Sequence, residues 1–118
     1  MKNLAPNLTR QRLLIEGFYK IKVNRKTVEN YFRRLTKSLK LKAYGKPIIF
    51  SPGGIGKEEN QGYGAFVPLI DSGIAAYVWA NVKFFSIVIY ICKSFHKKTA
   101  VSETKRFFKA DKIVFQNF

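Results

Sequence analysis

The sequence predicts an α+β fold, a two-layer sandwich in which two helices cover one face of a mostly antiparallel sheet. Three observations point there. Apolar residues recur at helical spacing in only two segments, one towards each end of the 118-residue chain. Between them lie strand-like runs separated by breaks too short for parallel crossovers. The chain is 47% apolar and long enough for one core but not two, so a single domain over residues 1–118 is expected.

RLLIEGFYKIKV (residues 12–23) is rich in β-branched and aromatic residues and reads as the first strand. Asn24 suits the N-cap of a helix over residues 25–40. There Val28, Phe32, Leu35 and Leu39 form one apolar stripe opposite Lys and Arg. Gly45-Lys46-Pro47 ends that unit, and PIIFSP opens a second strand. SPGGIGKEENQG (51–62) is a glycine-rich loop without the GK[ST] ending or following helix of a phosphate cradle. GAFVPLI, GIAAYVWAN and KFFSIVIYIC then read as an antiparallel meander, with Pro68 implying an edge or a bulge. A second helix is expected over 97–110, capped near Ser94 and burying Ala100, Thr104, Phe107 and Phe108. DKIVFQNF closes the chain as a strand, giving the order β-α-β-β-β-β-α-β.

Residues capable of chemistry are few. One cysteine, Cys92, and one histidine, His96, exclude an internal disulfide and a Cys/His zinc cluster, so no metal is expected. No apolar run approaches the roughly 20 residues of a membrane span. MKNLAPNLTRQR carries no apolar signal-peptide core. A soluble, cytoplasmic protein with no membrane partner is the expectation. Net charge is +15, and between Lys20 and Lys46 ten Lys or Arg face a single acid, Glu29. A solvated helix face accounts for this excess. A basic module for nucleic acid is the alternative, although no helix-turn-helix, KH or RRM signature is present.

The segment PLIDSGIAAYVWAN (68–81) sets an acid, a hydroxyl and a glycine in succession within a strand-like run. Such a step is either a hairpin corner or a place where chemistry is done on the backbone. Together with the element order, it resembles the bacterial S-adenosylmethionine decarboxylase proenzymes. Those proteins cleave themselves at a Glu-Ser bond in a segment close to E-S-H-I-S-I-H-T-W-P-E, and the serine becomes a pyruvoyl group. Without gaps, DSGIAAYVWAN keeps Ser72, Ile74 and Trp79, and Asp71 stands for the Glu. Upstream, Gln61-Gly62-Tyr63-Gly64-Ala65 matches the family's Q-G-V-S-G at the same distance. Downstream, its catalytic cysteine falls on Cys92, and LLIEGFY looks like its first strand.

The resemblance implies a pyruvoyl-dependent decarboxylase of polyamine (spermidine) biosynthesis. Its cofactor would be made from Ser72 by cleavage after Asp71, its substrate would be S-adenosylmethionine or another amino acid, and its assembly would be a homodimer. In this carry-over Cys92 is the proton donor and Tyr77 occupies the place of the processing histidine. Trp79, Asn81 and Ile74 fall at substrate-binding positions, Asn81 replacing an acid that contacts the ribose. Departures from the pattern sit at Gly64 (the family's second serine), Gly73 (the histidine after the cleavage serine) and Tyr77. Three readings follow: a diverged self-processing enzyme, an unprocessed inactive homologue that binds a ligand or regulates a partner, and the basic module.

Overall fold

The computed structural model describes residues 1–118. In chain order the elements are β1 (Gln11–Phe18), α1 (Arg25–Ser38), β2 (Ile48–Phe50), a 3-10 turn (Glu58–Asn60), β3 (Gly62–Leu69), β4 (Ser72–Trp79), β5 (Phe84–Ile91), α2 (Lys97–Phe108) and β6 (Ile113–Asn117). All strand pairs are antiparallel, in the spatial order β2-β3-β4-β5-β1-β6. The expected two-layer α+β sandwich is therefore the fold observed, with β3-β4-β5 as its meander and β1 inserted between β5 and β6.

Period-two alternation divides the sheet into a helix-facing side and an open side. Leu13, Ile15, Val67, Ile74, Ile87 and Ile89 are buried against the helices. The alternate positions Phe18, Phe66, Tyr77 and Tyr90 remain exposed on the other side. In α1, Val28, Tyr31, Phe32 and Leu35 bury the helical stripe, and Ala100, Thr104 and Phe108 do so from α2. Phe108 is the centre of an aromatic cluster: it stacks on Phe85 with ring centroids 4.4 Å apart and meets Tyr31 at 4.9 Å.

Several boundaries differ from expectation for local reasons. The first strand ends at Phe18 because its partner β5 begins at Phe84, opposite it. Beyond that point Tyr19 N–H donates to Lys83 O and Lys20 N–H to Phe108 O. The cap of α2 is His96, not Ser94. The Phe95 N–H donates to Gln11 Oε1, tying residue 95 to β1, and the His96 ring accepts from the Thr99 N–H. Pro68 sits beyond the short β2, and its carbonyl accepts from Tyr44 N–H. In a strand the N–H and C=O of one residue point to the same side, so the missing donor faces away from β4.

Tyr31 is fully buried, and its hydroxyl shares a 2.7 Å hydrogen bond with Thr104. Burial pushes the phenol well above its ordinary value, the Glu103 charge adds to the rise, and the Thr104 bond opposes it. An unfolded tyrosine ionises near pH 10 while this one stays neutral, so unfolding releases a proton at alkaline pH. Stability present below pH 10 is therefore lost as pH rises, by about 1.4 kcal/mol per unit. Tyr31→Phe is expected to remove this part of the alkaline slope. At pH 7 it should cost about 1–2 kcal/mol, because Thr104 is left without its partner. Urea titrations at pH 7 and pH 11 read both effects.

Candidate active site

The Asp-Ser step is a hairpin corner. Leu69 pairs with Ser72, leaving Ile70 and Asp71 as the two-residue turn between β3 and β4. Ser72 begins β4 opposite Ile91, and Cys92 follows Ile91 at the end of β5. Two contacts join the junction to Cys92. The Ser72 hydroxyl lies 2.8 Å from the Cys92 thiol, and the Cys92 N–H donates to the Asp71 carbonyl oxygen at 2.7 Å. Ser72 has φ 128°, a backbone conformation that favours glycine and carries on the order of 1–3 kcal/mol of strain in other residues. The Lys93 ammonium pairs with the Asp71 carboxylate at 3.2 Å. Both groups are partly exposed, and a pair of this kind holds orientation more than it adds stability.

A second group of expected site residues lies at the far end of the same hairpin. Tyr77 pairs directly with Gly64 across β3-β4. Together with Pro52, Asn60, Tyr63, Val78 and Trp79 they line a cleft of about 360 Å³. The Trp79 indole N–H donates to Asn60 Oδ1 at 3.2 Å, and the Asn81 amide donates to Glu58 O at 2.7 Å. Gln61 anchors the glycine-rich loop beside this cleft: its amide donates to Ile55 O and Lys57 O, and its carbonyl accepts from the Gly54 N–H. Asn81 thus holds the 3-10 turn in place with its amide. Ile74 is fully buried on the helix-facing side and lines neither the cleft nor the junction.

Asp71, Ser72 and Cys92 are therefore brought together, whereas Tyr77 and Trp79 stand apart from them at the loop end of the sheet. Five residues along β4 separate Tyr77 from Ser72, about 16 Å at 3.3 Å per residue. Two features of the junction escaped the sequence reading. Lys93 had a signal, being the cation next to the sole cysteine. The Cys92 N–H had none, since a main-chain donor is placed by strand register alone.

These features define a class: an α+β sandwich with a strained serine corner held by a cysteine on the neighbouring strand. A family model described as S-adenosylmethionine decarboxylase matches residues 17–118. The chain belongs to that family. It also resembles the crystal structure of the adenosylmethionine decarboxylase from Aquifex aeolicus VF5. The TM-score is 0.75 at 14% identity, over 94% of this chain and 89% of that one, a likeness of fold. No curated protein matches the sequence.

Proposed function

We propose that this chain is a self-processing, pyruvoyl-dependent decarboxylase that cleaves its own backbone between Asp71 and Ser72. Its substrate would be S-adenosylmethionine or a related amino acid. The observation that carries the reading is the double contact of Cys92 with the junction, through its N–H on the Asp71 carbonyl and its thiol on the Ser72 hydroxyl.

Processing balances with the groups present, a solvent base and one water. Ser72 Oγ attacks the Asp71 carbonyl carbon, the C–N bond breaks, and the hydroxyl proton passes to the freed Ser72 nitrogen, so an amide becomes an ester. Charge gathering on the carbonyl oxygen is met by the Cys92 N–H, already 2.7 Å away, in the manner of an oxyanion hole. This main-chain donor supplies what Gly64 cannot. Relief of the strained φ at Ser72 favours departure from the intact peptide. Transfer of the Ser72 α-proton to a solvent base then expels the new C-terminal α-carboxylate of Asp71 and leaves dehydroalanine. Its hydrolysis releases ammonia and gives the pyruvoyl group.

The residues fit such a group, because its precursor stands at a partly exposed strand start beside an exposed thiol. When present, the group supplies an electron sink for loss of a carboxylate. Cys92 would deliver a proton to the substrate carbon, its thiol lying 2.8 Å from the Ser72 hydroxyl. The cleft between Tyr77 and Trp79 offers aromatic faces for a cationic or heteroaromatic substrate, but it lies at the far end of β4 from Ser72 and could serve that residue only in a second copy of the chain.

Within one chain Tyr77 cannot reach Ser72, so any part it takes in processing requires a second copy. The open face, with Phe18, Phe66, Tyr77 and Tyr90 exposed, is the surface for a homodimer.

Intact-mass analysis of purified protein during prolonged incubation tests the reading. Two fragments ending at Asp71 and beginning at residue 72 are expected. The second should be blocked at its N-terminus and reducible by cyanoborohydride in the presence of an amine. A single uncleaved mass removes the enzyme reading. A specific observation favours the alternative of an unprocessed ligand-binding homologue: the sole histidine, His96, caps α2 instead of serving the junction. In that case S-adenosylmethionine should raise the melting temperature of uncleaved protein by mass action.

A further inference from the structure

We propose that the outer face of the helical layer binds the phosphate backbone of nucleic acid, without reading its bases. This surface lies on the opposite side of the molecule from the open sheet face and is independent of the processing reading.

Charge in this fold is sorted by layer. The open sheet face is largely apolar, whereas the helices and their flanks carry exposed cations including Arg25, Arg33, Lys37, Lys98, Lys105 and Lys109. Only five of the 22 Lys and Arg residues have a carboxylate within 4.0 Å. The acids nearest this face do little to neutralise it. Glu103 is buried, its side chain only 8% exposed, where it takes Arg34 at 3.2 Å and Arg106 at 3.3 Å. It bridges α1 and α2, so their cations form one continuous surface. Glu29, 3.9 Å from Lys26, and Asp111, paired with Lys20, remain.

The chemistry of the face selects among polyanions. Residues 20–40 and 97–112 expose no large hydrophobic side chain. A helix that lies in a lipid surface needs an apolar face to bury among the acyl chains, and here that face is already spent on the protein core. What remains is a rigid array of cations along a helix about 21 Å long, matched to a backbone of regularly spaced phosphates. At one end Lys26, Arg33 and Lys46, with Glu29 and Pro47, line a cleft of about 350 Å³, roomy enough for a phosphate. Recognition rests on the cations' charge alone, so the binding should be indifferent to sequence.

The test is fluorescence anisotropy with a labelled 20-base-pair duplex DNA and a 20-nucleotide RNA, from 25 to 200 mM salt. The unsubstituted chain is compared with an Arg33→Gln/Lys37→Gln/Lys105→Gln variant and a Lys2→Gln/Lys57→Gln/Lys83→Gln control of equal charge loss. Binding at 25 mM salt is expected to weaken with a log–log slope of about −3 or steeper. The helix-face variant should reduce the slope by about 2–3 and weaken binding at least tenfold. The control should change it less than threefold. Absence of binding at 25 mM salt overturns the proposal, as does an equal loss in the control. Tighter binding to phosphatidylserine vesicles than to either nucleic acid overturns it too.

Discussion

Ser72→Ala is expected to abolish backbone cleavage completely, leaving one intact mass under conditions where the unmodified chain yields two fragments. The effect is total because the substitution removes the nucleophile itself, and no neighbouring group stands in for it. Cys92 holds the only other strong nucleophile at the junction. Its contact, however, is with the Ser72 hydroxyl, while its main-chain N–H occupies the Asp71 carbonyl oxygen. The variant should fold, since Ser72 is only partly buried and alanine keeps the same backbone strain. Cleavage persisting in Ser72→Ala would show that the chain breaks by some route other than the proposed rearrangement. Cys92→Ala separates the two contacts: it retains the main-chain donor and removes the thiol. Processing should survive in part, while any decarboxylation of added S-adenosylmethionine should fall far more steeply.

Phe108→Ala is expected to cost about 3–5 kcal/mol, a large share of the roughly 5–15 kcal/mol that holds a domain of this size together. Phe108 is 1% exposed and stacks on Phe85, with Tyr31, Tyr19 and Phe107 around it. Deleting the ring leaves a cavity that aromatic neighbours on three different elements cannot close together. Phe108→Leu, which keeps much of the volume, should cost less than half as much. Urea midpoints at constant slope measure both. A loss below about 1 kcal/mol for the alanine variant would mean that the cluster is not the keystone of the interface between helices and sheet.

The layer architecture was legible because it rests on periodicity. Val28, Phe32 and Leu35 bury one stripe of α1, and the alternation through Phe66, Tyr77 and Tyr90 marks an uncovered sheet face. Element ends were less legible because they depend on partners distant in sequence. The first strand stops where β5 begins, and α2 starts at the expected residue but is capped by His96, because Gln11 takes the Phe95 N–H. At the candidate site, the family resemblance brought Ser72 and Cys92 into view, and register then determined what touches what. The same register puts Tyr77 and Trp79 at the opposite end of β4 from Ser72, and it turns Ile74 into the core. Likewise, the ten cations between Lys20 and Lys46 are plain in the sequence, but their continuity with α2 through Glu103 is a tertiary fact.

The positive φ of Ser72 has an implication for selection. Glycine is the residue that this backbone would welcome, so Ser72→Gly trades a hydroxyl for a tougher protein, whereas Ser72→Ala gives up the hydroxyl and gains nothing. Position 72 is thus a place where durability and reactivity pull apart, and this chain has kept the less durable side chain.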